Sequence, residues 1–246
     1  MSCQIEPDAW LTRVLDRPTF RVAAVDEIDP QALGRRLATA LGRGPGFAYA
    51  KVPMGDVRAI EALSRNDFHP VDTAVTFQRG SEPPVEWRAP HRIEVRRATA
   101  EELIAARDLA GRCMVLSRFH VDPRLGAAIG DAVSRAWIQS YCDGVRGEEV
   151  LVAFLDGAVS GFNAVLRTSA AGTPCRVVDL IGVDERHRGQ GVAQSLMQRF
   201  VLDTLGMGVG CMRVTTQASN VAAVNLYERN GFRLAESALV MHRHLA

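Results

Sequence analysis

Residues 183–193, VDERHRGQGVA from Val183 to Ala193, join an apolar strand pattern at Arg176–Val183 to a helical pattern at Gln190–Leu205. A helix start presents backbone N–H groups without intrahelical partners, together with the positive end of the helix dipole. Gly189 and Gly191 clear side chains from that start, so a bulky anion can approach the main chain. The stretch reads as a cradle for a diphosphate with the Arg186 guanidinium at its edge. No Lys-Ser/Thr pair follows the second glycine, which excludes a Walker loop, and the third glycine of GxGxxG is missing. Taken alone, the same residues suit a plain strand-to-helix turn equally well.

Downstream, periodicity predicts a strand at Met212–Thr216, a helix at Asn220–Asn230, and a closing hairpin of Phe232–Ala235 with Ala238–His244. Upstream lie strands at His91–Arg96, Glu149–Leu155 and Val159–Arg167, the last two joined by the turn Asp156-Gly157. Helices are expected at Thr99–Arg112, where Thr99 and Glu102 form a capping box, and at Leu125–Cys142. The order β-α-α-β-β-β-α-β-α-β-β is that of a mixed α/β domain. Before it, GSEPPVEWRAP (Gly80–Pro90) carries three prolines and no periodicity, the composition of a linker. The expected division is an N-terminal α/β domain (residues 1–79), a linker (80–90) and a main domain (91–246). The first domain reads β-α-β-α-β: strand Phe20–Val25, helix Gln31–Leu41 after Asp29-Pro30, strand Phe47–Val52, helix Asp56–Asn66, strand Asp72–Gln78.

The chain resembles itself at an offset of 164 residues. Asp56-Val57-Arg58-Ala59 falls over Asn220-Val221-Ala222-Ala223, and Arg65-Asn66-Asp67-Phe68 over Arg229-Asn230-Gly231-Phe232. The first domain is therefore read as a degenerate copy of the second half of the main domain. In that register Val25 and Glu27 stand over Gly189 and Gly191, and Leu63 over Tyr227, so the copy has lost its anion cradle.

Across 246 residues, 29 basic side chains face 28 acidic ones, for a net charge of +1. Binding to a nucleic-acid backbone normally leaves a basic surplus, so small substrates are expected and nucleic acid is not. Lys51 is the one lysine, and phosphate binding would fall to arginine, a planar fork rather than a point charge. The longest apolar run, Val150–Leu155, is far too short to span a bilayer, and Met1–Asp8 lacks the pattern of a signal peptide. A cytoplasmic protein without membrane partners is expected. Five widely spaced cysteines with no CxxC pair read as reduced thiols, and no HExxH pattern among the histidines predicts a metal.

The spacing Arg186, Gly189, Gly191, followed by Asn220, Ala223, Leu226-Tyr227 and Gly231-Phe232, resembles the acyl-CoA signature of the GNAT superfamily of N-acetyltransferases. The resemblance covers about Arg92 to Leu245. It implies a GNAT fold, acetyl-CoA as co-substrate, its diphosphate on the amides of Arg188, Gly189, Gln190, Gly191, Val192 and Ala193, and its pantetheine arm along Ile181 and Val183. It also implies that Tyr227 donates the proton to the departing thiolate. Asn220, Ala223 and Tyr227 share a helix face, and Asn220 serves either as an N-cap or as a pantetheine contact. Asp179, alternating onto the strand face of Ile181 and Val183, is the candidate base or amine-orienting group.

The loop SRFHVDPR (Ser117–Arg124), the Trp137-Ile138 pair and the run from Thr216 to Ala223 resemble, within that superfamily, the acetyltransferases of dTDP-4-amino-4,6-dideoxyhexoses. That likeness implies a nucleotide-linked amino sugar as acceptor, with Arg118 as a diphosphate clamp and His120 beside it. A free amine, an amino acid or a protein N-terminus as acceptor, and a non-catalytic acyl-CoA-binding module, stand as alternatives. A homodimer is an open alternative to a monomer.

Overall fold

The computed structural model describes residues 4–23, 29–42, 44–87, 90–170 and 172–245. In chain order the elements are β1 (Gln4–Pro7), α1 (Ala9–Leu15), β2 (Thr19–Ala23), α2 (Pro30–Leu41), β3 (Gly46–Pro53), α3 (Val57–Ser64) and β4 (His69–Arg79). There follow β5 (Ile93–Arg97), α4 (Ala100–Cys113), α5 (Arg118–Val121), α6 (Ala127–Cys142), β6 (Glu149–Leu155), β7 (Ala158–Ala170) and β8 (Thr173–Val183). A 3₁₀ turn (Glu185–His187) then precedes α7 (Val192–Gly206), β9 (Met212–Gln217), α8 (Val221–Arg229) and β10 (Arg233–Leu245). The chain forms two compact units that do not follow the expected cut. One comprises Met1–Ala74, Leu116–Ile129 and Glu236–Ala246, and the other Val75–Val115 and Gly130–Ala235. The expected linker thus lies wholly inside the second unit; its residues 88–89, like 24–28 with Val25 and Glu27, fall outside the described residues.

In the first unit the strands lie in the order β1-β2-β3-β10-β4, with β2 and β3 parallel and the β1–β2 and β3–β10 pairs antiparallel. Leu33, Leu37 and Leu41 of α2 and Ala59, Ala62 and Leu63 of α3 pack with Ala48, Ala50 and Met241 in its core. Both helices begin on an aspartate: Asp29 accepts from the amides of Gln31 and Ala32, and Asp56 from that of Ala59. The sequence reading missed β1 and α1, which are short and carry little periodicity.

In the second unit the order is β4-β9-β8-β7-β6-β5, with the β5–β6, β6–β7 and β7–β8 pairs antiparallel and the β8–β9 pair parallel. The β6–β7 turn places Asp156 and Gly157 at positive φ, as a two-residue hairpin turn with the strands' own twist requires. One core lies under α7 and α8, and a second under α4 and α6. Gly161 lets α7 approach β7, since a Cβ there would meet Val192 Cγ1 at 2.7 Å. Arg176, fully buried, is satisfied by Glu148, Glu149 and Thr204 and lies against the Phe200 ring. Next to it Cys175 and Cys211 are joined in a disulfide, a correction to the expectation of reduced thiols throughout.

The element bounds recur at the offset of 164. It carries α2 onto α7, β3 onto β9, α3 onto α8 and β4 onto β10. Hydrogen bonds repeat with it: Ala59 N to Asp56 Oδ1 matches Ala223 N to Asn220 Oδ1, and Asn66 Nδ2 to Ala62 O matches Asn230 Nδ2 to Leu226 O. Asn66 also donates to Pro30 O, and Asn230 to Gln194 Oε1 at the equivalent position. The last strand of each repeat is divided, because Val75–Arg79 belongs to the second unit and Glu236–Leu245 to the first. The closing hairpin predicted from sequence does not form. Glu236 and Ser237 are not turn residues of the primed type, and the backbone runs through them as one strand, β10.

Candidate active site

β8 and β9 pair over three positions, Arg176 with Met212, Val177 with Arg213 and Val178 with Val214. Beyond them β8 runs on to Val183 and β9 to Gln217 without a shared ladder. The facing edges of the two strands are therefore unpaired there, and β8 leads through Asp184 and the 3₁₀ turn into the start of α7. At that start Gly189 (φ +73°) and Gly191 (φ +91°) adopt the left-handed conformation that favours glycine. A Cβ on Gly189 would meet no atom within 4 Å, so the cradle is open at that point. Gly191 is different. A Cβ there would lie 3.3 Å from Trp87 Cζ2 and 3.5 Å from Pro90, so an indole rather than open space borders the second glycine.

The arginines of the cradle are already hydrogen-bonded within the chain. Arg186 grips Asp184 through Nε and Nη2, at 3.0 and 2.8 Å, and holds its carboxyl well below the usual range. Arg188 donates to the carbonyl of Cys113. Burial pushes the Cys113 thiol up to about 11, which leaves it protonated and unfit as a nucleophile at neutral pH.

Tyr227 sits on the buried side of α8, 2% exposed, with the rings of Phe77 and Phe232 at 5.9 and 6.4 Å. Burial raises its phenol well above the ordinary value, so the proton stays on it through the neutral range. Asn220 caps α8 through its side-chain oxygen at 3.2 Å from the Ala223 amide, so that oxygen is already engaged.

Asp179 is not where strict alternation puts it. The β7–β8 register slips between Ala164 and Val165, and Asp179 is the extra residue of a bulge. Ile181 and Val183 pack towards α7, whereas Asp179 turns to α6 on the other face. Its Oδ2 accepts from Trp137 Nε1 (2.7 Å), Tyr141 Oη (2.8 Å) and Arg146 Nε (2.7 Å), and its Oδ1 from Arg146 Nη2 (2.8 Å). Gly147 is required beside them, since a Cβ there would run into the Tyr141 ring. A carboxylate so engaged is placed to orient its donors. The i, i+4 spacing of Trp137 and Tyr141 was the signal available in the sequence.

Arg118 and His120 lie in the first unit. The Arg118 guanidinium is held between the rings of Tyr49 (4.0 Å) and Phe119 (4.4 Å), and desolvation brings its pKa down to about 10. It donates to His242 Nε2 at 3.2 Å, which fixes the proton on Nδ1, 2.7 Å from Asp122 Oδ2. His244 Nε2 reaches the same oxygen at 2.8 Å. Burial, then the Arg118 charge, lower His242 to about 3, so its ring is neutral. Asp122, His242 and His244 bring three metal-capable atoms within 4.8 Å of one another, a juxtaposition that sequence reading missed although His242 and His244 alternate on one strand. A dication at those atoms would need the His242 proton moved to Nε2, against the Arg118 donor, which makes the trio a poor cation site. His120 Nδ1 lies 2.6 Å from Ser117 Oγ.

Residues 116–232 match the model of the acetyltransferase (GNAT) family. The chain carries a GNAT acetyltransferase domain. A GCN5-related N-acetyltransferase from Sphaerobacter thermophilus shares the fold at TM-score 0.63 and 15% identity, over 99% of this chain and 76% of its own. A tandem GNAT protein from the clavulanic acid biosynthesis pathway does so at 0.64 and 16%, over 94% and 76%. Among curated proteins, the spore coat polysaccharide biosynthesis protein SpsD of Bacillus subtilis is 24% identical over 198 residues, 80% of this chain. The match spans 66% of SpsD's length. GNAT proteins use acetyl-CoA, and the unpaired edges of β8 and β9 beyond Val178 with the glycine-bounded start of α7 are the features of this chain that suit that co-substrate. Among the described residues no helix is long and apolar enough to cross a membrane.

Proposed function

We propose that the protein transfers acetyl from acetyl-CoA to the amine of a nucleotide-linked amino sugar. The observation that carries the acetyl-transfer part is the divergence of β8 from β9 beyond Val178, beside the glycine-bounded start of α7. The amides of Gly189 to Ala193 would take the diphosphate, and the free edge of Ile181 and Val183 the amide-bearing pantetheine arm. Attack of the amine on the thioester carbonyl expels a thiolate with a pKa near ~8.5. Tyr227, protonated throughout the neutral range, is the proposed donor to that sulfur. Asp179 acts through Trp137, Tyr141 and Arg146 as a positioning residue, and water is left to carry the ammonium proton away.

The sugar acceptor is supported by the likeness to SpsD and by the Ser117–Arg124 loop. Arg118 enters that reading with its guanidinium partly committed to His242, so it would offer an acceptor only its remaining donors. The first unit is proposed to be a degenerate repeat that binds no coenzyme, with Leu63 in place of the tyrosine. Cytoplasmic placement belongs to the same proposal. The test is release of free CoA with a panel of sugar nucleotides, matched free amino sugars, amino acids and peptides. The reading predicts turnover with a dTDP-4-amino-4,6-dideoxyhexose and little with the free sugar. Equal rates on both would move the acceptor to a small amine, and no release with any amine would leave a binding module.

A further inference from the structure

We propose that Gly80–Trp87 is a strap across the start of α7, and that the Trp87 indole is the platform on which the adenine of coenzyme A stacks. The proposal rests on the coenzyme reading above and adds to it a recognition element that the cradle itself does not supply.

The strap is fastened at both ends within the second unit. At one end Arg79, 3% exposed, donates through Nη2 to the carbonyls of Glu82 and Pro83 and through Nη1 to Asn230 O at the end of α8. Gly231 makes room for it, since a Cβ there would lie 2.5 Å from Arg79 Nη1. At the other end Gln198, in the second turn of α7, donates from Nε2 to the Trp87 carbonyl at 2.9 Å. A proline-rich segment held this way loses little further entropy when a ligand settles on it. Its indole is placed with Cζ2 against Gly191, yet the residue stays 37% exposed. A large aromatic surface left part-exposed beside amides that suit a diphosphate is what a nucleoside diphosphate asks for: phosphate on the helix start, base on the aromatic face.

Two nucleoside diphosphates are in play, the coenzyme and the sugar nucleotide. The indole borders Gly191, in the cradle assigned above to the coenzyme diphosphate, so the adenine of the coenzyme is the base proposed to reach it. A Trp87 that merely plugs the space over Gly191 would stabilise the fold without reading a base.

The experiment titrates the full-length protein with coenzyme A, 4′-phosphopantetheine and dTDP by calorimetry, for the wild type, Trp87→Ala and Trp87→Phe. Base stacking on an aromatic predicts that Trp87→Ala weakens coenzyme A by about 5- to 150-fold, with Trp87→Phe between it and wild type. Binding of 4′-phosphopantetheine, which lacks the adenine, should stay within about twofold. Indole fluorescence should be quenched by coenzyme A in the wild type, and that quench lost in Trp87→Phe, a check that survives should the alanine variant fold poorly. Unchanged coenzyme binding in both variants, equal weakening of both coenzyme fragments, or an effect on dTDP alone would each overturn the proposal. Failure of the wild type to bind coenzyme A at all would instead refute the coenzyme reading and take this proposal with it.

Discussion

Asp179→Asn separates the two roles open to that carboxylate. The substitution keeps the volume and removes the charge, and its amide nitrogen would point donors at a guanidinium, a phenol or an indole, which are donors themselves. Of four hydrogen bonds received, three on Oδ2 and one on Oδ1, only those on the atom that stays an oxygen can survive, and the amide nitrogen faces donors at the other. Breaking a buried ion pair from one side costs about 3–5 kcal/mol. The Arg146 side chain is 39% exposed, so water recovers part of that, and about 2–4 kcal/mol is expected. For a chain of this size the midpoint of thermal unfolding should fall by about 5–15 °C. Turnover, measured below the new midpoint, should fall modestly, with the acid limb of its pH profile unmoved, because no proton passes through Asp179. Urea and thermal unfolding with a kcat–pH profile test this. A variant as stable as wild type, slowed by the ~10²–10⁴ of a lost general base and without its acid limb, would refute the positioning role.

Three further outcomes are expected. Tyr227→Phe keeps the packing between Phe77 and Phe232, so stability should change by less than about 1 kcal/mol while kcat falls by ~10² or more at near-normal coenzyme affinity; an unchanged kcat would remove the acid assignment. His242 is neutral when folded and titrates near 6.5 when unfolded, so the unfolded chain binds the extra proton between those values; stability should drop as pH falls from about 6.5 towards 3, by about 1 kcal/mol between pH 6 and 5, and His242→Gln should flatten that slope. An equally steep slope in the variant would assign it elsewhere. Replacing Cys175 and Cys211 together with alanine should cost about 2–5 kcal/mol, and dithiothreitol should lower the wild-type midpoint in the same direction; no shift with either would show that the bond is absent in solution.

Much of the scaffold was legible because its signals are local. The Thr99 and Glu102 capping box, the Asp29 and Asp56 caps and the Asp156-Gly157 turn each depend on residues within four positions of one another. The start of α7 was legible for the same reason. Asp179 was not, because a bulge is set by the partner strand, and one extra residue opposite Ala164 and Val165 reverses the face on which it appears. The passage of the backbone straight through Glu236 and Ser237 was hidden likewise, since a continuous strand and two short ones share one alternating pattern. The linker composition of Gly80–Pro90 likewise gave no sign that the carbonyls of Glu82 and Pro83 accept from the buried Arg79, because those partners leave no mark in the sequence.

The division of β4 and β10 between the units bears on how the chain is made. A ribosome delivers residues in order, and domains ordinarily fold as they emerge, the earlier one first. Here the second unit has every residue it needs once Ala235 is out, while the first, begun more than two hundred residues earlier, still lacks Glu236–Leu245, the strand that pairs with β3. The half translated first is therefore the half completed last. Until then β3 has an open edge, the kind of surface on which unfinished chains pair wrongly with one another.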